Sequence, residues 1–173
     1  MLPRGTFVLG GAASGKSQWA ENLILSSALN AVYLATGRIY DSETRIKVDV
    51  HKSRRDARWD TVEAPLDPAP VLTSLGAHTP VLIDCATMWL TNLMMQDADV
   101  EQAQSELLSS LQTCASPWVI VSNEVGHGIV PDNALARRFR EAQGRLNIAL
   151  AAEADLAVLI VAGLPQVLKG ALP

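Results

Sequence analysis

Short, continuously apolar runs recur along the chain at Thr6–Leu9, Ala31–Ala35, Val81–Asp84, Trp118–Ser122 and Leu156–Val161. They are rich in β-branched residues, too short for helices and without polar alternation, so they read as interior strands of a parallel sheet covered on both faces. Trp59–Glu63 is a weaker run and reads as a short edge strand. Between the strands the period becomes helical. Val100, Ala103, Leu107, Leu108 and Leu111 form one apolar stripe, and Leu135, Phe139, Ala142, Leu146 and Leu150 form a second, opened by the start signal Pro131-Asp132-Asn133. Trp19, Leu23 and Ile24 show the same spacing just after the first strand, while Pro65, Pro68 and Pro70 predict a loop. Alternating strand and helix predicts an α/β domain, a mostly parallel doubly wound sheet with helices on both faces, spanning residues 1–173 as one unit.

Composition narrows the class. The 173 residues are 49% hydrophobic and 18% charged, apolar enough for a sheet buried on both faces. A net charge of −4 argues against a nucleic-acid partner, and no run approaches the length of a membrane span or the pattern of a signal peptide. Cys85 and Cys114 have no metal-type spacing and read as reduced core thiols of a cytoplasmic protein.

The most informative stretch is Gly10-Gly11-Ala12-Ala13-Ser14-Gly15-Lys16-Ser17, set directly behind the first strand. It matches the phosphate-loop pattern G-x-x-x-x-G-K-[ST] in its proper context of strand, loop and helix, and so predicts a P-loop NTPase-like domain. Glycines let the backbone wrap a polyphosphate, and the helix that follows offers its positive end. Lys16 would reach the β- and γ-phosphates, and the Ser17 hydroxyl would ligate Mg²⁺.

In an open α/β sheet, ligands bind at the carboxyl ends of the strands. The polar clusters of this chain follow that rule: Thr36-Gly37-Arg38 after the second run, Asp84 ending VLID, Asn123-Glu124 after WVIVS, and Gly163 after LAVLIV. Asp84 reads as the acid that shares Mg²⁺ with Ser17, the alternative being a cap on a helix beginning near Thr87. Glu124 is a rival acid in a glycine-punctuated loop that also holds His127 and is of a kind that shapes substrate pockets; neither residue receives a role from sequence.

One histidine stands in a basic stretch. Arg45, Lys47, Lys52, Arg54, Arg55 and Arg58 surround His51, and if the segment is helical, Lys47, Arg54 and Arg55 share its face. Neighbouring cations disfavour imidazolium, which keeps a neutral nucleophilic nitrogen near pH 7 and stabilises charge on an attacked phosphate. The alternating Ile46, Val48 and Val50 speak against a helix, and a solvated basic face is the plainer reading.

Taken together, these stretches resemble the adenosylcobinamide kinase / adenosylcobinamide-phosphate guanylyltransferase family of cobalamin biosynthesis. The resemblance is carried, in order, by GGAASGKS, the YLATG segment from Tyr33, HKSRRDARWDTVEAP from His51, VLIDCATMWLTNL from Val81, SNEVGHGIVPDNALARRFREAQGRLN from Ser122 and the closing AGLPQVLKG. It implies two activities: phosphorylation of adenosylcobinamide by ATP or GTP, then transfer of GMP from GTP to that phosphate, giving adenosylcobinamide-GDP. It also implies a guanylyl-histidine intermediate at His51. Nucleotide contacts are implied from Gly10 to Ser17, from Ala35, Thr36 and Gly37, from Lys52, Ser53, Arg54 and Arg55, and from Glu63 and Asp84. Glu63 could accept hydrogen bonds from the guanine edge, and the assembly implied is a homotrimer. Val50 stands where some relatives carry a second histidine, which leaves His51 alone in its segment. Two competing readings are a P-loop small-molecule kinase without guanylyl transfer, and a non-enzymatic nucleotide-binding regulator.

Overall fold

In the computed structural model, which describes residues 1–27, 30–38 and 57–173, the apolar runs pair into one seven-stranded sheet. Its strands are β1 (Gly5–Gly10), β2 (Ala31–Ala35), β3 (Trp59–Glu63), β4 (Val81–Asp84), β5 (Trp118–Asn123), β6 (Leu156–Val161) and β7 (Leu164–Lys169). They lie in the order β3-β2-β4-β5-β1-β6-β7. Every pairing is parallel except β6 with β7, so the carboxyl ends of β1 to β6 line a single edge. The helices among the described residues are α1 (Lys16–Leu25), α2 (Ala69–Ser74), α3 (Ala86–Met95), α4 (Val100–Thr113) and α5 (Ala134–Glu153).

Successive strand residues point to opposite faces, and the two faces build separate cores. Phe7, Leu34, Ile83, Ile120 and Ala157 pack with Leu72 of α2, Trp89 and Leu90 of α3, Leu107 and Leu111 of α4, and Leu146 and Leu150 of α5. On the other face Val8, Tyr33, Leu82, Val121 and Val158 pack with Ala20, Leu23 and Ile24 of α1. The continuous apolar runs are thus explained by burial on both sides. Cys85 and Cys114 are free and buried, as the sequence suggested.

Two elements differ from the sequence reading. The proline-rich stretch is not wholly loop: Pro68 is the N-cap of α2 and Pro70 lies in its first turn, where a missing N–H costs nothing. The strand β7 has no counterpart in the hydrophobic pattern, because as an exposed edge strand it buries neither face. It exists because Ala162 (φ 52°) and Gly163 (φ 78°) form a two-residue turn with both φ values positive, the geometry that fits strand twist in a hairpin. Pro165 is tolerated there because an edge strand leaves one side unpaired.

Candidate active site

The phosphate-loop sequence lies between β1 and α1, at the carboxyl edge. Gly15 adopts φ 90°, a left-handed conformation open to glycine, and a Cβ on it would sit 3.1 Å from the Gly163 Cα. Gly10 is equally constrained: a Cβ there would lie 2.9 Å from the Ile160 carbonyl and run into the Ser14 hydroxyl. The loop closes on itself through Ser14 N–H to Gly11 O (3.3 Å), and the hairpin turn braces it through Gly163 N–H to Ser14 O (2.8 Å). Lys16 folds back so that its Nζ donates to the Gly11 carbonyl at 2.9 Å. Burial pushes the Lys16 ammonium below its ordinary pKa, and the charge of Asp84 pulls it back up. The Ser14 hydroxyl is buried without a partner among the described residues.

Asp84 ends β4, which is separated from β1 by β5. The helix-cap alternative does not hold: α3 begins at Ala86 with Cys85 as N-cap and no side-chain capping bond. Instead Asp84 Oδ2 accepts the Tyr33 hydroxyl at 2.8 Å, which ties the carboxylate to the side chain of a β2 residue. Burial, together with the Asp84 charge, pushes the adjacent Cys85 thiol up to about 12, so it remains protonated and unreactive.

Thr36 is held from beneath. Its hydroxyl donates to Cys85 O and accepts from Cys85 N–H, both at 2.7 Å. Asn92 of α3, itself buried, donates to Thr36 O at 2.7 Å and to Pro65 O at 2.8 Å. The Thr36 side chain therefore locks the end of β2 to the end of β4. Thr36→Val would orphan the buried Cys85 N–H, while the Cys85 carbonyl keeps the Trp89 N–H at 3.1 Å, and we expect a loss of about 1–3 kcal/mol, read as a lower urea midpoint at unchanged slope.

At the end of β5, Glu124 N–H donates to Gly10 O at 3.0 Å, joining the glycine-punctuated loop to the phosphate loop. Beneath it, Ser122, Gln143 and Asn147 form a buried polar network: Ser122 Oγ donates to Asn147 Oδ1 at 2.6 Å, and Gln143 Nε2 donates to Ser122 Oγ at 3.0 Å and to Asn147 Oδ1 at 2.9 Å. These bonds hold α5 at the level of the sheet edge. The residues of α5 before Gln143 therefore project beyond that edge, about 13 Å of helix at 1.5 Å per residue. From this overhang Arg140 donates to the carbonyls of Gly126, Gly128 and Ile129, and Arg137 to those of Pro131 and Asp132.

The sequence-derived residues thus gather at one edge but in two corners. Gly10 to Ser17 (with Gly11, Ala12, Ala13 and Ser14 forming the loop itself) lie at the end of β1, whereas Ala35, Thr36, Gly37 and Glu63 lie at β2 and β3. Ala35 is in register with both Asp84 and Glu63, so Asp84 stands between the corners. Glu63, on β3, is four strands from β1, about 19 Å at the usual spacing. His51, Lys52, Ser53, Arg54 and Arg55 lie outside the described residues. Sequence reasoning did not single out Tyr33, Asn92, Arg137 or Arg140 for these tasks. Asn92 alone left a signal, as an amide on the apolar side of a helix.

The donors present fit Mg²⁺. No cluster of three His, Cys, Asp or Glu side chains exists among the described residues, so no dedicated protein cage is on offer. Mg²⁺ needs none, since it keeps water and commonly takes one or two protein oxygens plus substrate phosphates. Ser17, in the first turn of α1, and the oriented Asp84 carboxylate are groups of that kind.

Comparison with known proteins agrees with this architecture. The model of the family described as cobinamide kinase / cobinamide phosphate guanyltransferase matches residues 6–168. The chain is 41% identical over 167 residues to the bifunctional adenosylcobalamin biosynthesis protein CobP of Pseudomonas aeruginosa, covering 94% of this chain and 96% of the relative. It is 38% identical over 178 residues to the bifunctional adenosylcobalamin biosynthesis protein CobU of Salmonella typhimurium, covering 94% and 98%. In fold it is similar to the type III secretion ATPase EscN of enteropathogenic E. coli, with a TM-score of 0.61 at 10% identity over 92% of this chain and 43% of that one. A Pyrococcus horikoshii protein solved as a structural study matches with a TM-score of 0.58 at 7% identity, over 98% and 88%.

Proposed function

Since the chain belongs to the cobinamide kinase / cobinamide phosphate guanyltransferase family, we propose that its kinase and guanyltransferase activities share the crevice at the carboxyl edge. The observation that carries this reading is the phosphate loop with Lys16 in electrostatic reach of the Asp84 carboxylate at that edge, and the 124–133 loop hydrogen-bonded to Gly10.

In the first reaction the cobinamide hydroxyl oxygen attacks the γ-phosphorus of a nucleoside triphosphate, ATP or GTP. The bond to the β–γ bridging oxygen breaks, the nucleoside diphosphate leaves, and the hydroxyl proton passes to solvent water. This transfer depends on positioning and charge neutralisation rather than covalent help. The loop from Gly10 to Ser17 wraps the triphosphate and Lys16 exchanges its Gly11 carbonyl for phosphate oxygens. Ser17 and Asp84 hold Mg²⁺, which, when bound, neutralises the phosphate charge. Tyr33 keeps the Asp84 carboxylate oriented throughout.

In the second reaction a His51 nitrogen attacks the α-phosphorus of GTP and pyrophosphate leaves. The cobinamide phosphate oxygen then attacks the same phosphorus, the phosphorus–nitrogen bond breaks, and cobinamide-GDP is formed. Lys52, Ser53, Arg54 and Arg55 steady the phosphate charge, and Ala35, Thr36, Gly37 and Glu63 bind the nucleoside, Glu63 accepting from the guanine edge. The bare β7 edge, with Leu164 and Leu168 exposed, supports self-association as a homotrimer, and we place the enzyme in the cytoplasm; no helix among the described residues is long and apolar enough to cross a membrane.

The test is incubation with GTP labelled at the α-phosphate. We expect an acid-labile, base-stable label on the wild-type protein and none on His51→Ala, which keeps its kinase activity. Absence of label on the wild type, with GTP bound, would leave a kinase alone.

A further inference from the structure

Between the end of α3 and the overhanging start of α5 lies a cleft of about 350 Å³, lined by Thr91, Met94, Met95, Leu135, Ala136 and Phe139 together with the cap residue Asn133. Apart from Thr91 and Asn133 its lining is apolar, yet it is open to solvent, with Met95 65% and Leu135 54% exposed. Ile129 and Val130, in the loop leading to it, are 96% and 68% exposed. An exposed apolar cluster of this kind is a candidate binding surface.

Its distance from the chemistry follows from helix geometry. Thr87 accepts the Asn123 N–H at 2.9 Å, at the carboxyl end of β5, and Thr91 lies one turn further along α3. On α5, Gln143 reaches Ser122 at that same strand end, Phe139 lies one turn beyond it, and Ala136 nearly one more. The cleft therefore begins about 6 Å past the strand end and extends to roughly 11 Å. The loop that Arg140 holds in place connects it to Glu124, which is bonded to Gly10 of the phosphate loop.

Alongside, sharing Met94 and Leu135, runs a second groove whose polar members include Asp97, Glu101, Arg138, Glu141 and Arg145. An apolar floor beside a rim of donors and acceptors suits one kind of ligand well: a flat macrocycle fringed with methyl groups and neutral amide arms. Cobinamide is such a molecule.

We infer that this cleft seats one edge of the corrin macrocycle of the acceptor, with its amide arms along the polar rim and the hydroxyl-bearing arm directed back toward the phosphate loop. The inference rests on the cobinamide reading above. A volume of 350 Å³ lies at the small end of ligand pockets, which is why it takes an edge and not the whole ring. Binding energy gathered here, away from the reacting atoms, holds the hydroxyl in line with the γ-phosphorus.

Two substitutions test it. Ala136→Trp fills the cleft, and Met95→Glu places a charge in it from a position too exposed to disturb the core. Cobinamide binding is measured by equilibrium dialysis, followed by visible absorption, in the presence of a non-hydrolysable triphosphate. Both variants are expected to weaken cobinamide binding at least tenfold while triphosphate affinity and melting temperature stay at wild-type values. Should Ala136→Trp fail to fold, Met95→Glu decides alone. Wild-type cobinamide affinity in Met95→Glu would overturn the assignment and leave the family activity standing. So would a change in sedimentation without a change in cobinamide affinity, which would make the cleft a contact between copies. A wild-type protein that retains triphosphate but no cobinamide would instead overturn the cobinamide reading itself, and this inference with it.

Discussion

Lys16→Ala should lower cobinamide phosphorylation by roughly 100- to 1,000-fold, the loss typical of removing one preorganised group that meets developing charge. The structure gives the reason for an effect of this size. Lys16 is half-buried at the crevice, its ammonium already turned into the phosphate loop toward Gly11 O, and its charge answers that of Asp84. Removing the side chain leaves the loop backbone intact, because the bonds that shape it run between main-chain groups of Gly11, Ser14 and Gly163. The variant should therefore melt with the wild type while kcat/KM falls. Lys16→Arg should not restore activity, since a planar guanidinium cannot take the place of a compact ammonium in a closed loop. Steady-state kinetics on the two variants, beside their melting curves, check this; a kcat/KM within fivefold of wild type would remove the loop from the reaction.

Trp89→Ala carries the largest expected cost to stability, about 3–5 kcal/mol. Trp89 is 2% exposed and packs in the larger core. Its indole N–H donates to Leu66 O at 2.8 Å, so truncation opens a cavity and also orphans a backbone carbonyl. Against a total stability of about 5–15 kcal/mol, such a loss is large enough to populate the unfolded chain. Activity should suffer as well, because Trp89 fixes α3, whose Asn92 holds the end of β2 and whose Thr87 holds the end of β5. Chemical denaturation should show the midpoint falling sharply at unchanged slope; a shift worth less than about 1 kcal/mol would mean the site had repacked.

How legible the molecule was depended on whether a feature is local in the chain. Gly10 to Ser17 announced its chemistry because a phosphate loop is built from consecutive residues, although part of what demands glycine at Gly10 and Gly15 comes from Ile160 and Gly163, far away in the chain. The strands β1, β2, β4, β5 and β6 announced themselves because burial on both faces leaves an unbroken apolar run. The edge strand β3 was visible only faintly, and β7, buried on neither face, left no periodicity to find.

Other features had no local signature. Asp84 as an oriented carboxylate needs Tyr33 from 51 positions earlier in the chain, and only strand order brings the two together. The inward turn of the Thr36 hydroxyl onto Cys85, 49 positions away, likewise had no trace in the sequence. Arg137 and Arg140 read as ordinary polar positions of an amphipathic helix until the fold aimed them at the carbonyls of the 126–132 loop.

By itself, then, the sequence determined the α/β class, the position of the phosphate loop and the resemblance to a two-activity family, because periodicity and motif spacing are written in neighbouring residues. The tertiary structure decided the order of the strands, the separation of Lys16 from Glu63 across four strands, and the overhang of α5 that forms the apolar cleft. Those depend on pairings and packing between segments far apart in the chain, which no local pattern encodes.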